Sequence, residues 1–116
     1  MYRSFEELEV WKRGCKLAVD VYVALRDCRE FGLRDQMTRA AVSIPSNIAE
    51  GAERDSVKEF IHFMHIAKGS AAELRTQIYI AEKIGILTPV LTRPFITETK
   101  EISAMLQGLI KSKKPK

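Results

Sequence analysis

The chain has 116 residues, 46% hydrophobic and 29% charged, a composition that fits one globular domain and excludes fibrous, disordered and membrane-spanning classes, since no apolar run reaches bilayer length. Its formal charge of +4 belongs to the last few residues: without Lys111, Lys113, Lys114 and Lys116, fifteen basic residues stand against fifteen acidic ones. Two cysteines, Cys15 and Cys28, without a secretory signal, point to free thiols in a reducing cytoplasm rather than to a disulfide framework.

Ser4 and Glu7 have capping-box spacing, and the periodicity after them predicts a first helix from about Phe5 to Asp27. It carries two apolar seams. Leu8, Trp11, Cys15, Ala18, Tyr22 and Leu25 form one; Val10, Gly14, Leu17, Val21 and Ala24 form the other. Together they exceed what one core requires. The expectation is that the first seam, with Trp11 and Tyr22, enters the monomer core, and that the second, with Val10, Leu17 and Val21, is covered by another copy of the chain.

Phe31-Gly32 reads as punctuation, after which Leu33, Met37, Ala40, Ile44, Ile48 and Gly51 repeat at helical spacing. Pro45 lacks an amide hydrogen and predicts a kink near residues 41–45, with Ser43, Ser46 and Asn47 available to freed backbone groups. Ser56 to Glu59 is a second capping box. It opens a third helix that ends at Gly85, with Phe60, Phe63, Met64, Ala67, Ala71, Leu74, Ile78 and Ala81 on one face. Thr88-Pro89 opens a fourth helix, with Pro94 expected to delay or kink its first turns and Phe95, Thr99, Ile102, Leu106 and Leu109 as its stripe. The domain is therefore residues 1–110, followed by a basic disordered tail at 111–116. Short turns predict an all-α, antiparallel up-down-up-down four-helix bundle.

The chain resembles the bacterial four-helix-bundle proteins encoded in intervening sequences of 23S ribosomal RNA genes. The resemblance is densest over Phe31-Gly32-Leu33 to Gln36 and over Arg39-Ala40-Ala41-Val42-Ser43-Ile44-Pro45-Ser46-Asn47-Ile48-Ala49-Glu50-Gly51. It resumes at Lys58-Glu59-Phe60, Ile66-Ala67-Lys68-Gly69-Ser70, Glu73-Leu74 and Thr76-Gln77, and extends to Phe5–Trp11 and Gly108-Leu109-Ile110-Lys111-Ser112. It implies a left-handed bundle assembled as a ring-like homopentamer, without enzymatic activity, and with RNA or DNA as partner. More distantly the chain is similar to accessory barrel proteins of diversity-generating retroelements, which implies a nucleic-acid-processing protein as a further partner. It departs from the family pattern at Ala52, where an aromatic is typical, at His62 and His65, and in the lysine-rich tail.

No catalytic site, metal site or cofactor is expected. Glu59 and His62 have the Glu-x-x-His spacing of di-metal bundles, but the second pair such a site needs is missing, and a solvated face explains both histidines. Ser43, Ser46 and Cys15 lack a base held in place by spacing. Gln36, Arg39, Ser43, Asn47 and Glu50 form a polar seam on helix two, either a solvated face or, as the resemblance favours, a subunit contact. Lys58, His62, His65, Lys68, Arg75 and Lys83 form a basic stripe on helix three that includes Ile61 and Tyr79. Such a stripe suits a phosphate backbone, an acidic partner or simple solvation. Lys58, Lys68 and Arg75 with the four C-terminal lysines are the candidate nucleic-acid contacts. A protein-assembly or scaffold module with no nucleic-acid role is the alternative.

Overall fold

A computed structural model of the chain describes residues 4–113, and among these it contains helices and no strand. A single 3-10 turn, Phe5–Glu7, precedes four helices: α1 (Glu9–Ala24), α2 (Phe31–Ala52), α3 (Val57–Lys83) and α4 (Pro89–Lys113). Each helix packs against two others, α1 on α2 and α4, and α3 on α2 and α4. The body measures 45 × 22 × 20 Å, so α3, at a rise of about 1.5 Å per residue, runs most of its length. No helix among the described residues is long and apolar enough to cross a membrane.

The third helix follows its sequence pattern most closely. Ser56 Oγ accepts from the Glu59 amide at 3.0 Å and caps the N-terminus. At the other end Gly85 adopts φ +81°. The Ile86 amide then donates to the Ala81 carbonyl (2.9 Å) and the Gly85 amide to the Glu82 carbonyl (3.2 Å), a Schellman closure that needs the left-handed residue. All the expected core positions of α3 are buried except Phe63, which is half-buried.

The first helix departs from expectation. Ser4 caps only the 3-10 turn, accepting from the Glu6 amide. Leu8 is then extended (φ −72°, ψ 123°), and the α-helix begins at Glu9 and stops at Ala24. The roles of its two seams are largely exchanged, although Leu25 of the first seam is buried and Leu8, Trp11 and Ala18 pack at the core's edge. Val10, Leu17 and Val21, expected at a contact between copies, are at most 2% exposed and belong to the chain's own core with Gly14 and Leu25, whereas Tyr22 is 55% exposed. Trp11, Cys15 and Ala18 are half-buried, with Trp11 edge-on to Phe5 at 5.2 Å. The reason is Gly14: a Cβ there would already sit 3.4 Å from Ile44 Cγ2 and from Pro45 Cβ and Cδ, so the seam that carries the glycine is the one that α2 can approach.

The second helix begins at Phe31, so Phe31-Gly32 is its first turn rather than punctuation, and it continues unbroken through the buried Pro45. Asn47 Nδ2 donates to the Ser43 carbonyl (2.7 Å) and Ser43 Oγ to the Ala40 carbonyl (2.9 Å), so both serve backbone acceptors around the proline. In α4 the helix is regular from Pro89 through Pro94. The carbonyl that Pro94 leaves without its amide belongs to Val90, which is 83% exposed. The buried stripe of α4 is Thr92, Ile96, Thr99, Ile102, Leu106 and Ile110, with Phe95 and Leu109 at its edge. The helix also extends through Lys111 and Lys113, past the expected boundary at residue 110; Lys114 and Lys116 lie outside the described residues.

Two substitutions test this packing. At Gly51 an added Cβ would meet Phe63 Cβ at 2.7 Å and Met64 Cε at 2.8 Å. The methionine end can turn away but the phenylalanine stem cannot, so Gly51→Ala should cost about 1 to 3 kcal/mol in urea unfolding, outweighing a helix-propensity gain of about 1 kcal/mol. Leu17→Glu places an unpaired charge in the core, a cost of about 3 to 5 kcal/mol, and should abolish the helical circular dichroism signal, whereas Tyr22→Glu should leave it intact. Equal signals from the two variants would show that the seams are assigned wrongly.

Candidate functional surfaces

Helix three positions the candidate cations, and its neighbours decide which remain free. Lys58, His62 and His65 are exposed on its outer face, while Lys68 and Arg75 are half-buried. Lys68 Nζ donates to Gln107 Oε1 on α4 at 2.7 Å, a bond to a neutral amide that leaves the charge unneutralised. In the last turn of α3, Glu82 pairs with Arg93 of α4 (2.9 Å) and accepts from the Thr92 hydroxyl. Glu59 turns toward Ser56 and Arg54. His62 lies edge-on to Phe63, 5.4 Å between ring centres.

The end of α4 meets the start of α3. Lys113 Nζ lies 5.8 Å over the Phe60 ring, which brings Lys58, Lys111 and Lys113 to one end of the body. Lys58 and Lys111 are exposed. At the same end Arg54 holds Glu50 at 2.6 Å and Glu59 at 3.6 Å and stacks 4.9 Å over Phe63, so two carboxylates there are already engaged.

The polar seam of α2 divides. Ser43 shares a 2.6 Å hydrogen bond with the Ser70 hydroxyl of α3, Asn47 bonds its own helix, and Glu50 holds Arg54. These three are therefore partnered within the chain. Gln36 and Arg39 are exposed and line a recess of about 260 Å³ with Ser43 and Glu73. Sequence reasoning did not find a second recess of about 480 Å³ between α1 and α2, lined by Tyr22, Arg26, Arg34, Arg39 and Val42 among others. Its one visible signal was Tyr22, placed on the wrong seam. There Arg26 lies 5.8 Å over the Tyr22 ring, and Val42 is 48% exposed.

Between α1 and α4, Arg13 Nε donates to Glu98 Oε2 at 2.8 Å, and its Nη2 reaches both Glu98 and Glu101. These bonds, the one to Glu98 foremost, raise the guanidinium pKa further, so the group is a permanently charged clamp. Burial raises the Cys15 thiol pKa, the reverse of the shift that activates a nucleophile. Cys15 and Cys28 are free thiols.

A model of the 23S rRNA-intervening sequence protein family matches residues 6–108. A crystal structure from Bacteroides thetaiotaomicron, described as a protein of unknown function from the S23 ribosomal protein family, is similar at 25% identity with a TM-score of 0.83. The match covers 88% of this chain and 98% of that one. No curated protein matches.

Proposed function

The chain belongs to the 23S rRNA-intervening sequence protein family, and we propose that it is a non-enzymatic, self-associating protein of the cytoplasm that engages RNA or DNA through cationic surface rather than through a catalytic pocket. The observation that carries this reading is the Lys113–Phe60 contact, because it joins Lys58, Lys111 and Lys113 at one end, where Lys114 and Lys116 follow in sequence. Lys58, Lys111 and Lys113, gathered without carboxylate partners among the described residues, set up a local field even on a body with no net charge. A nucleic-acid-processing protein would be a natural companion to such a surface. Free thiols suit a reducing compartment.

The helices are read as an antiparallel up-down-up-down bundle, supported by cross-helix pairs whose numbers run oppositely, Lys68 with Gln107 and Glu82 with Arg93. Self-association is assigned to the outer face of α1, where Trp11, Cys15 and Ala18 are half-buried and Val19 and Tyr22 are 61% and 55% exposed. Gln36 and Arg39 of α2, without hydrogen-bond or ion-pair partners among the described residues, remain candidates for the same contact. In a ring-like homopentamer the lysine-rich ends would lie on one rim and multiply the field fivefold. One observation favours the alternative, a protein-assembly module. The opposite end of the body exposes Phe31, Ile80, Ile84, Val90 and Leu91, an apolar patch suited to a protein partner.

Mobility shifts with duplex DNA at two salt concentrations test the reading. The unmutated protein should bind at low salt with a log-log salt slope of about −0.9 per phosphate contact. Replacing Lys111, Lys113, Lys114 and Lys116 by glutamine should weaken binding and flatten the slope. Absence of binding at low salt would reject the nucleic-acid role in favour of the assembly module, and Tyr22→Glu should reduce the mass measured by light scattering in either case.

A further inference from the structure

The seam between α3 and α4 is built in heptad layers, and one layer is unlike its neighbours. Lys68 faces Gln107, and fourteen residues later on α3 Glu82 faces Arg93, fourteen residues earlier on α4. Both outer layers are complementary, an ammonium on an amide oxygen and a carboxylate on a guanidinium. By the same spacing, the layer midway between them falls at Arg75 on α3, half-buried, and Lys100 on α4, exposed, two cations in one layer. Neither makes a hydrogen bond or ion pair within the described residues.

Nothing on either helix neutralises the pair. The positions three and four residues away from Arg75 are Ala71, Ala72, Ile78 and Tyr79; those around Lys100 are Ile96, Thr97, Ser103 and Ala104. The nearby carboxylates are engaged or turned away. Glu98 and Glu101 hold Arg13 on the α1 side of α4, and Glu73 lines the recess toward α2. Like charges placed in one layer cost free energy unless an anion joins them. Tyr79, one turn beyond Arg75, is 41% exposed and offers a ring beside the cations, and Ser103 adds a half-buried hydroxyl one turn from Lys100.

We propose that the Arg75–Lys100 layer is a phosphate-binding position for single-stranded nucleic acid, with an adjacent base stacked on Tyr79. The fork of Arg75 and the point charge of Lys100 together span a phosphodiester, and aromatic stacking beside a cationic groove is the recognition chemistry of single strands. Lys68, bonded only to a neutral amide, and Lys111, four residues beyond Gln107, continue the seam toward the lysine-rich end. From Lys100 to Lys111 the helix rises about 16 Å, room for several nucleotides. This site rests on the nucleic-acid reading above and narrows it to one strand and one seam.

Fluorescence anisotropy of a labelled twenty-nucleotide oligouridylate, with duplex DNA of equal length in parallel, tests the assignment. Arg75→Gln with Lys100→Gln should weaken oligouridylate binding at least tenfold and reduce the salt slope by about 0.7, the value for one phosphate on a single strand. Lys12→Gln with Arg29→Gln removes two exposed charges elsewhere and should change affinity less than twofold. Tyr79→Ala should weaken the single strand more than the duplex. Arg75→Glu should lower affinity while its melting temperature holds or rises, because the new carboxylate would face Lys100. Equal losses from the two glutamine pairs would overturn the site and leave general cationic binding standing. Failure of the unmutated protein to bind either probe at low salt would overturn both.

Discussion

The register between α3 and its neighbours decides where every group of this protein ends up. On the α2 side the Ser43–Ser70 hydrogen bond and the intrusion of Gly51 between Phe60, Phe63 and Met64 pin the two helices. On the α4 side the same is done by Lys68–Gln107 and Glu82–Arg93. Between these polar edges runs a column of fully buried side chains, Met37, Ile44, Ile48, Met64, Leu74, Ile78, Ile102, Leu106 and Ile110. Apolar burial supplies most of the stabilisation, at about 25 cal/mol per Å², but it is indifferent to sliding by a turn. The polar pairs are not. A shift of one helical turn would leave the half-buried Ser43, Ser70, Lys68, Gln107 and Glu82 unmatched, so these pairs select one register among apolar packings of similar strength.

How legible this was differed from helix to helix for a physical reason. In α3 the apolar positions occupy a single face and both ends carry caps, so Ser56, Gly85 and the buried stripe were all readable. In α1 two seams have comparable apolar content, and periodicity cannot rank them. What ranks them is shape: Gly14 allows Ile44 and Pro45 of α2 to approach, and Tyr22 keeps its hydroxyl where water can reach it. A glycine inside a helix was the signal, because it weakens the helix unless close packing compensates. Pro45 misled in the other direction, since Ser43 and Asn47 serve neighbouring carbonyls and the helix persists.

The candidate surface was only half legible. Lys68 and Arg75 stand out on a wheel of α3 alone, but Lys100 does not stand out on α4, where it is one exposed lysine among polar neighbours. Its meaning depends on which residue of α3 shares its layer, and that register is set by side-chain pairs 39 and 11 residues apart in sequence and invisible to local periodicity. The α1–α2 recess was hidden for the same reason as the seams: its floor uses Tyr22, which belongs outside only once Gly14 is placed inside.

Charge pairing explains how a neutral body can still present a cationic face. The arginines take up much of the acid: Arg13 clamps Glu98 and Glu101, Arg54 holds Glu50 and Glu59, and Arg93 holds Glu82. Each planar fork reaches carboxylates across helices or along one, so those acids contribute little negative potential beyond their own neighbourhood. Among the described residues Lys58, Lys100 and Lys111 have no such partners, and Lys68 is matched to a neutral amide. Exposed charges interact through water over about 8 to 10 Å at moderate salt, so an approaching polyanion meets the unpaired lysines individually rather than the average charge of the body. The potential therefore follows the distribution of pairs, and on the α3–α4 side Lys58, Lys68, Lys100 and Lys111 remain without a carboxylate among the described residues.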